Sequence, residues 1–249
     1  MVILKCPDEI EKLRASNQIV AEILLELREN VQPGVTTREL NQLSEDLARK
    51  KKARPAFKGY RGYPYALCTS INGEVVHGMP SERMLTSGDI LSLDFGVDYH
   101  GYCGDAAITV PVGKVSPAAE RLMEVTEASL YAGIDQAQVG KRLGDISAAV
   151  QQRVEAAGFS VVRDYVGHGI GRSMHEDPQI PNYGVAGRGL LLKPGMVLAI
   201  EPMVNEGSYH VRVLPDGWTV MTEDGKRSAH FEHSVAITKN GPDILSRIA

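Results

Sequence analysis

Apolar and polar residues alternate with the period of an α-helix over the first part of the chain. After Pro7, apolar residues recur at helical spacing from Ile10 to Leu27. Pro33 and Gly34 then interrupt the pattern, and neither residue continues a helix easily. The pattern predicts one long amphipathic helix that ends before the Pro-Gly pair.

A second helix is predicted directly after the first. Thr36 and Glu39 have the spacing of a capping box, and leucines at helical spacing follow them. Basic residues end this segment, where cations complement the helix dipole. The basic run consists of Arg49, Lys50, Lys51, Lys52 and Arg54.

The pattern changes to that of β-strands from about Ala66. The segments A-L-C-T-S-I and E-V-V-H flank Asn72-Gly73, which predicts a β-hairpin, and two further strand-like segments follow. Helical periodicity returns over residues 118–138 and 144–157, and strand patterns resume after Gly158. This order of elements predicts an α+β fold with an antiparallel sheet that helices cover on one face.

A weak internal repeat suggests two related halves. The segment P-G-V-T-T-R-E-L resembles V-G-K-R-L-G-D-I, at an offset of 106 residues. The sequence has no Pro/Ser-rich linker between these halves. We therefore expect a single domain over residues 1–249.

Composition and charge exclude several classes of protein. The chain has 249 residues, 43% hydrophobic and 23% charged, with a formal net charge of −4, as in ordinary folded proteins. Nucleic acid is not the default partner, because no global basic field exists. The longest apolar run, Met196 to Ile200, is far shorter than the roughly 18 residues of a membrane span. No membrane association is expected.

Cysteine usage and the amino terminus indicate a cytoplasmic protein. Cys6, Cys68 and Cys103 are odd in number and form no C-x-x-C motif, which argues against a disulfide scaffold and against a thiolate zinc site. Charged residues begin too early for the apolar region of a secretory signal. We therefore expect a reduced, cytoplasmic environment.

Two aspartates lie symmetrically about a predicted turn. Asp94 and Asp105 have their midpoint between Tyr99 and His100, so an unbulged two-residue hairpin makes them direct cross-strand partners. Like charges in that position are destabilising unless a cation lies between them. The alternatives are a bulge that moves one aspartate to the other face, or two solvated side chains.

Glu201 and Glu232 show the same symmetry about Asp216-Gly217, another hairpin signal. The arms of this hairpin are long, so bulges can break the register, and an unrelated exposed glutamate is the alternative. Both glutamates lie among apolar strand-forming residues, where an unpaired charge is costly to bury. Each therefore needs a partner.

Histidines complete a candidate metal site. The motif G-H-G-I-G places His168 in a glycine-rich loop, His175 follows seven residues later, and His77 follows the Asn72-Gly73 turn. The alternative for each is an ordinary structural histidine. Two Asp, two Glu and one His form an oxygen-rich donor set whose charge balances two divalent ions. Such centres support metal-assisted hydrolysis, and the sequence lacks H-E-x-x-H, G-x-S-x-G and P-loop motifs.

These residues lie in motifs that together resemble type I methionine aminopeptidase of peptidase family M24, in its short bacterial form. The resemblance runs nearly from end to end. It includes P-D-E-I-E-K-L-R, P-G-V-T-T-R-E-L, G-Y-R-G-Y-P, S-I-N-G-E-V-V-H-G, L-D-F-G, G-D, G-H-G-I-G, H-E-D-P, L-K-P-G-M, I-E-P-M, D-G-W-T and F-E-H. It implies the pita-bread fold, in which two pseudo-symmetric α+β halves enclose a dinuclear site within a central antiparallel sheet.

The resemblance also implies the ligands and the reaction. It implies two divalent metal ions, and their identity stays open among Co, Mn, Fe, Ni and Zn. The implied ligands are Asp94, Asp105, His168, Glu201 and Glu232. Asp105 and Glu232 would bridge two ions, and a bridging hydroxide would attack the carbonyl that follows an initiator methionine. The second residue of the substrate would be small, and Glu201 would shuttle the proton.

The remaining roles fall to histidines and to an apolar pocket. His175 would stabilise the oxyanion, and His77 would contact the substrate amide or the next residue of the substrate. The methionine pocket would contain Phe57, Tyr60, Tyr63, Cys68, Met174 and Trp218. The sequence departs from the family pattern at Met174, Phe57 and Ala106-Ala107, where the family more often has an aromatic residue, a smaller residue and Thr-Ser.

Other interpretations remain open at this stage. An Xaa-Pro aminopeptidase or prolidase shares the ligand set but usually carries an additional amino-terminal domain, and a non-catalytic pita-bread module would bind partners without turnover. The expected partners are the amino termini of nascent polypeptides. The basic run from Arg49 to Arg54 is a candidate for docking to the ribosome. A monomer is expected.

Overall fold

Four α-helices form two consecutive pairs in residues 1–247, which are the residues that the computed structural model describes. Their bounds are α1 (Pro7–Asn30), α2 (Thr37–Lys50), α3 (Pro117–Ile134) and α4 (Leu143–Ala156). Both predicted amino-terminal helices are confirmed. The capping box of α2 is also present, because Glu39 N donates to Thr36 Oγ1 at 3.2 Å and Thr36 N donates to the Glu39 carboxylate at 2.7 Å.

The second helices of the two pairs correspond in length and position. Each has 14 residues, and their first residues, Thr37 and Leu143, are separated by the offset of the sequence repeat. Strand-rich segments follow each pair. The prediction of two related α+β halves agrees with this arrangement.

The described strands form one large sheet and two small ones. The bounds are β1 (Arg54–Pro55), β2 (Leu67–Ile71), β3 (Glu74–Val76), β4 (Ile90–Tyr99), β5 (Tyr102–Pro111), β6 (Ser160–Val161), β7 (Gly167–Gly169), β8 (Glu176–Ile180), β9 (Val197–Ile200), β10 (Met203–Asn205), β11 (Val211–Val213), β12 (Val220–Thr222), β13 (Ser228–His230), β14 (Glu232–Thr238) and β15 (Gly241–Ile244). The large sheet has the order β1-β4-β5-β14-β9-β7-β8, with β2 beside β4 and β15 beside β14. The small sheets have the orders β13-β10-β6 and β11-β12-β3.

Each helix pair covers its own half of the large sheet. One apolar cluster contains Leu24, Leu40 and Phe95, and a second contains Leu130 and Leu198. Burying one such side chain contributes about 2 kcal/mol. The opposite ends of the ladder β4-β5-β14-β9 are therefore held by separate helix pairs, and the centre of the sheet lies between them.

The predicted hairpin at Asn72-Gly73 is wrong in its pairing. A turn forms there, and Asn72 has a positive φ of 55°. However, β2 pairs with β4 in the large sheet, whereas β3 pairs with β12 in a small sheet. The turn therefore passes the chain from one sheet to another, because β2 pairs with β4 over its full length and β3 pairs with β12.

The predicted register between Asp94 and Asp105 is also wrong. Tyr99 pairs with Tyr102, so the turn is His100-Gly101, with φ values of 54° and 78°. Such a turn needs positive φ at both central positions, which His-Gly tolerates better than Tyr-His. Asp94 consequently lies opposite Ala107.

The register predicted for the other pair of carboxylates is confirmed. His233 pairs with Ile200, and β10–β13 and β11–β12 keep the same midpoint, between Asp216 and Gly217. One register thus runs through three successive ladders and places Glu201 opposite Glu232. Glu201 itself lies one residue past the end of β9.

No helix among the described residues is long and apolar enough to cross a membrane. All three cysteines are free thiols. The single-domain prediction for residues 1–249 stays a prediction, and residues 248–249 lie outside the described residues.

Candidate metal centre and substrate cavity

Five neighbouring strands bring the predicted metal ligands together. Asp94 lies in β4, Asp105 in β5, His168 in β7 and Glu232 at the start of β14, and Glu201 directly follows β9. These strands are consecutive in the sheet. His168 therefore lies in a short buried strand, and the expectation of a glycine-rich loop is corrected.

The register explains why the carboxylates share one face. Asp94 pairs with Ala107, and Asp105 pairs with Gly96, so the two aspartates are diagonal neighbours, two positions apart along the ladder. A shift of two residues preserves the face, because side chains alternate with a period of two. Ala107 also pairs with Glu232 on its other side. Its methyl group leaves the space between Asp94 and Glu232 open.

His168 lies between carboxylates with one ring nitrogen available. Its Nε2 is 3.4 Å from Glu201 Oε1 and 3.7 Å from Asp105 Oδ2. Its Nδ1 is 2.9 Å from the carbonyl oxygen of Gly169, which can only accept, so Nδ1 carries the proton. Nε2 therefore presents a lone pair, as a metal-binding imidazole requires. One ligand atom from each of Asp105, His168 and Glu232 lies within 4.8 Å of the others.

Burial disfavours the charged form of each carboxyl group in this cluster. Asp94 Oδ1, Asp105 Oδ1 and Glu232 Oε1 are buried and have no hydrogen-bond partner. Burial raises the pKa of Asp94 to about 7. Burial, together with neighbouring carboxylates, also raises the pKa of Asp105 and Glu232 far above the usual range. Among the described residues that line the cavity, Arg61 is the only Lys or Arg.

The donor set fits divalent metal ions. Unpartnered buried carboxylate oxygens beside a free imidazole nitrogen are the donors that hard and borderline divalent cations prefer. A bound cation would remove the repulsion between the carboxylates and satisfy the orphaned oxygens. Asp94, Asp105, His168, Glu201 and Glu232 are the residues that would hold it.

The carboxylates form the floor of a cavity of about 350 Å³. Its walls include all but one of the residues predicted for substrate binding. They are Phe57, Tyr60, Tyr63, Cys68, His77, His175 and Trp218. Met174 is buried but lies outside this lining. A Cβ atom added to Gly96 would meet Met174 Cε at 2.7 Å and Phe57 Cε1 at 2.8 Å, so Met174 packs on β4 beside a residue of the lining.

His175 is oriented by Tyr60. The two rings are stacked with centroids 5.3 Å apart, and His175 Nδ1 lies 3.0 Å from the Tyr60 hydroxyl oxygen. The ring of His168 is 4.2 Å from that of His175. Burial, reinforced by His168, lowers the pKa of His175 to about 3, so the ring is neutral at physiological pH.

His77 approaches the cavity from the first half of the chain. Its backbone has a positive φ of 60°, which is uncommon for a residue with a side chain and is often found at functional sites. Its ring meets the edges of Tyr165 and Trp218, with centroids 5.7 and 6.5 Å away. Burial lowers the pKa of His77 to about 4, so this ring is also neutral.

Several residues at the site were not identified from the sequence. Tyr165, Val166, Gln179 and Met203 line the cavity. His230 is fully buried with both ring nitrogens unpartnered, and its Nε2 lies 3.8 Å from Glu201 Oε2. Proximity to G-H-G-I-G could have indicated Tyr165 and Val166. No sequence pattern distinguishes the others from core residues.

Comparison with known proteins agrees with this site. The profile of Metallopeptidase family M24 matches residues 11–239. A Bacillus subtilis protein named methionine aminopeptidase 1 is 53% identical over 248 residues, which cover 100% of both chains. A crystal structure of methionine aminopeptidase from Thermotoga maritima has 49% identity and a TM-score of 0.98, with 100% of both chains covered.

A more distant structure shares the fold alone. Prolidase from Pyrococcus furiosus is 23% identical, with a TM-score of 0.81 over 99% of this chain and 66% of that chain. The pita-bread fold is thereby confirmed, as are its two α+β halves around an antiparallel sheet. The family profile, the full-length relative and the buried donor set agree, and the chain belongs to metallopeptidase family M24.

Proposed function

We propose that this chain removes the amino-terminal methionine from polypeptides whose second residue is small. The observation that carries the proposal is the buried donor set on the floor of a cavity with apolar and aromatic walls. Such walls suit a thioether side chain. Full-length relatives named methionine aminopeptidase support the same activity.

Family membership implies a divalent metal, and we propose that two ions occupy the site, held by Asp94, Asp105, His168, Glu201 and Glu232. When bound, the ions would polarise the scissile carbonyl and lower the pKa of a water molecule. Their identity among Co, Mn, Fe, Ni and Zn is set by availability, because this donor set accepts all of them.

Glu201 moves the proton in the proposed reaction. Its carboxylate lies between His168 and His230, and burial raises its pKa well above the usual range. A carboxyl group with a raised pKa can accept a proton from the attacking water and return it to the leaving amine near neutral pH.

The two histidines act as neutral donors and contacts. When the Tyr60 hydroxyl donates to His175 Nδ1, the His175 proton is at Nε2, where it can donate to the developing oxyanion. His77, held edge-on between Tyr165 and Trp218, contacts the substrate amide. Phe57, Tyr60, Tyr63, Cys68 and Trp218 enclose the methionine side chain.

The test uses protein stripped by a chelator and reloaded with each divalent metal. We expect release of methionine from Met-Ala-Ser that depends on metal and is abolished by Glu201→Ala. Glu206→Ala, a control in which the carboxylate faces Arg227 outside the cavity, should keep full activity. Selective cleavage of Ala-Pro over Met-Ala-Ser would instead indicate an Xaa-Pro peptidase, and folded protein without any turnover would indicate a binding module.

Location and partners follow from the proposed activity. We propose that the chain acts in the cytoplasm, as a monomer, on the amino termini of nascent polypeptides. Docking to the ribosome through the basic run stays a prediction. Arg49, Lys51 and Arg54 pair with Asp46, Glu22 and Asp98.

These ion pairs leave Lys50 and Lys52 as the cations of the basic run to test. Both are exposed, and neither has an ion pair among the described residues. The double variant Lys50→Glu/Lys52→Glu should reduce co-sedimentation with ribosomes at low salt, where electrostatic contacts are strongest. Unchanged co-sedimentation across a salt series would end this hypothesis.

A further inference from the structure

An almost fully buried ion pair anchors the loop that carries His175. Lys5 Nζ lies 2.5 Å from Glu176 Oε2, and the two side chains are only 5% and 9% exposed. Burying two charges has a large desolvation cost, which close geometry and additional hydrogen bonds must offset. Both partners have such bonds.

Each partner is tied to its own segment of backbone. Lys5 N donates to Gly195 O at 2.7 Å, and Lys5 Nζ also donates to Ile3 O at 3.0 Å. On the other side, Glu176 Oε1 accepts from Ser173 N at 3.3 Å. The Glu176 carboxylate therefore closes the loop that precedes it with one oxygen and reaches Lys5 with the other.

The loop packs directly onto this pair. A Cβ atom added to Gly171 would lie 2.3 Å from Glu176 Oε1 and 2.7 Å from Lys5 Cε. Gly171 O also accepts from Cys103 N in β5 at 2.8 Å. A side chain at this position would have to displace the ends of both ion-paired side chains, so the loop and the ion pair are in direct contact.

The anchored residue is the immediate neighbour of His175. Glu176 begins β8 and pairs with Gly169, whereas His168 pairs with Gln179, so the register shifts at this point. Such irregularities redirect side chains near functional sites. The His175 ring contacts Tyr60 and His168, and its backbone is held by the neighbouring Glu176, so the anchor helps to fix the ring.

We propose that Lys5 is a positioning residue, and that its ion pair with Glu176 fixes the His175 ring against Tyr60 at the edge of the cavity. This inference rests on the proposed function, in which His175 donates to the oxyanion. Lys5 lines no part of the cavity and touches no substrate. Its effect on turnover therefore acts through the backbone of the loop.

The principal test is a double-mutant cycle between Lys5→Met and His175→Ala, measured on metal-loaded full-length protein with Met-Ala-Ser. We expect Lys5→Met to lower kcat about 10-fold, because a small misplacement of a catalytic group by a remote change is costly, with KM nearly unchanged. In the His175→Ala background, the same change should alter kcat by less than about twofold, because the two residues act as a unit. Lys5→Arg should recover most of kcat.

Two further variants separate positioning from general stability. Arg14→Met removes an ion pair between α1 and Asp243, 2.6 Å away and outside the cavity, and it should leave kcat unchanged. Lys5→Met/Glu176→Gln leaves no unpaired buried charge, so it should fold as stably as the wild type and still show the loss of kcat. An equal loss of kcat in the wild-type and His175→Ala backgrounds would overturn the proposal, as would full kcat in the doubly neutral variant.

A second readout does not depend on activity. Amide hydrogen exchange of His175 and Glu176 should become at least about 10-fold faster in Lys5→Met than in the wild type or in Arg14→Met, because the loop opens locally. Unchanged exchange would overturn the proposal even if the wild type released no methionine. Absence of methionine release, with the expected change in exchange, would overturn the proposed function and leave the anchor established.

Discussion

The two halves of the sheet deliver their carboxylates through hairpins of very different length. In the first half, β4 and β5 meet at His100-Gly101, close to Asp94 and Asp105. In the second half, the strands that end near Glu201 and Glu232 continue through β10–β13 and β11–β12 before the chain turns at Asp216-Gly217. The short hairpin is confined to the large sheet, whereas the long one extends beyond it.

The difference in length separates two tasks. The long hairpin carries Met203 and Trp218 over the carboxylates, and both line the cavity. The hairpin of the first half ends close to its carboxylates, so changes to Asp94 or Asp105 should lower activity through loss of metal. The second half combines metal ligands with a wall of the substrate cavity. Variants of its ligands should lose metal, whereas variants of its wall should bind the substrate less tightly.

The largest effect should come from removing one carboxylate of either half. We expect Asp105→Asn and Glu232→Gln each to lower methionine release more than 100-fold, since loss of even an outer-sphere partner costs about 10- to 100-fold in metal affinity. Metal content by mass spectrometry should fall in parallel. Asp98→Asn, on the same hairpin as Asp105 but paired with Arg54, is the control and should retain both properties. Retained metal in Asp105→Asn would mean that the halves do not share one site.

The histidines should separate turnover from binding. We expect His175→Ala to lower kcat about 100-fold with little change in KM, because a neutral donor to an oxyanion acts mainly in the transition state. Steady-state kinetics on Met-Ala-Ser would measure both constants. If KM rose instead at constant kcat, His175 would be a binding contact and not an oxyanion donor.

Metal affinity should rise with pH through the neutral range. Burial raises the pKa of Asp94 from 3.8 to about 7, so this carboxyl is protonated below pH 7 in the metal-free protein and must release its proton on binding. For each proton that the metal ion displaces, the apparent metal affinity falls about tenfold for every pH unit below the raised pKa. Titration calorimetry in buffers of different ionisation enthalpy would count the protons. Absence of proton release at pH 6 would contradict the buried environment.

The same shift affects stability in a defined direction. Because the folded-state pKa of Asp94 lies above its unfolded value, the protonated group contributes stability at low pH, and this contribution is lost as pH rises through about 7. Metal binding restores the lost part. The difference in unfolding free energy between metal-loaded and metal-free protein should therefore grow from pH 5 to pH 8.

The wall contributed by the second half should control affinity for the methionine side chain. We expect Trp218→Ala to raise KM about 10-fold while metal content stays unchanged, since loss of apolar pocket contacts costs about 1–3 kcal/mol. Loss of metal in this variant would indicate that the long hairpin supports the ligands as well as the wall.

The smallest effect compares the caps of the two equivalent helices. Thr36 caps α2 through its side chain, whereas Arg142, at the equivalent position of α4, has no such bond. We expect Thr36→Ala to cost about 1 kcal/mol of unfolding free energy and Arg142→Ser to gain a few tenths. Urea denaturation would measure the unfolding free energy of both variants. An equal change of the same sign in the two variants would show that the two helix starts do not differ in capping.

Sequence patterns predicted the elements that depend on local chemistry. Thr36 with Glu39 marks the start of α2, and the symmetry of Glu201 and Glu232 about Asp216-Gly217 gives the observed register. The same symmetry failed for Asp94 and Asp105. There the turn forms at His100-Gly101, because these residues tolerate the positive φ that the turn requires. The midpoint between two aspartates contains no information on φ.

The cavity was less predictable than the ligands. Gln179 and Met203 come from segments whose meeting depends on sheet order, which no local pattern encodes. Met174 was expected in the pocket; its side chain lies beside that of Phe57 at Gly96, but only Phe57 lines the cavity. Apolar residues near a motif can face either side of a strand or loop, so proximity in sequence does not decide which of them meets the substrate.

The most direct test of the central claim, that both halves form one metal-dependent peptidase site, is methionine release from Met-Ala-Ser by chelated protein during titration with Mn²⁺ or Co²⁺. We predict no release without metal, and activity that rises to a plateau at no more than about two ions per chain, as expected for a two-metal centre. Release at the full rate in excess chelator would contradict the account.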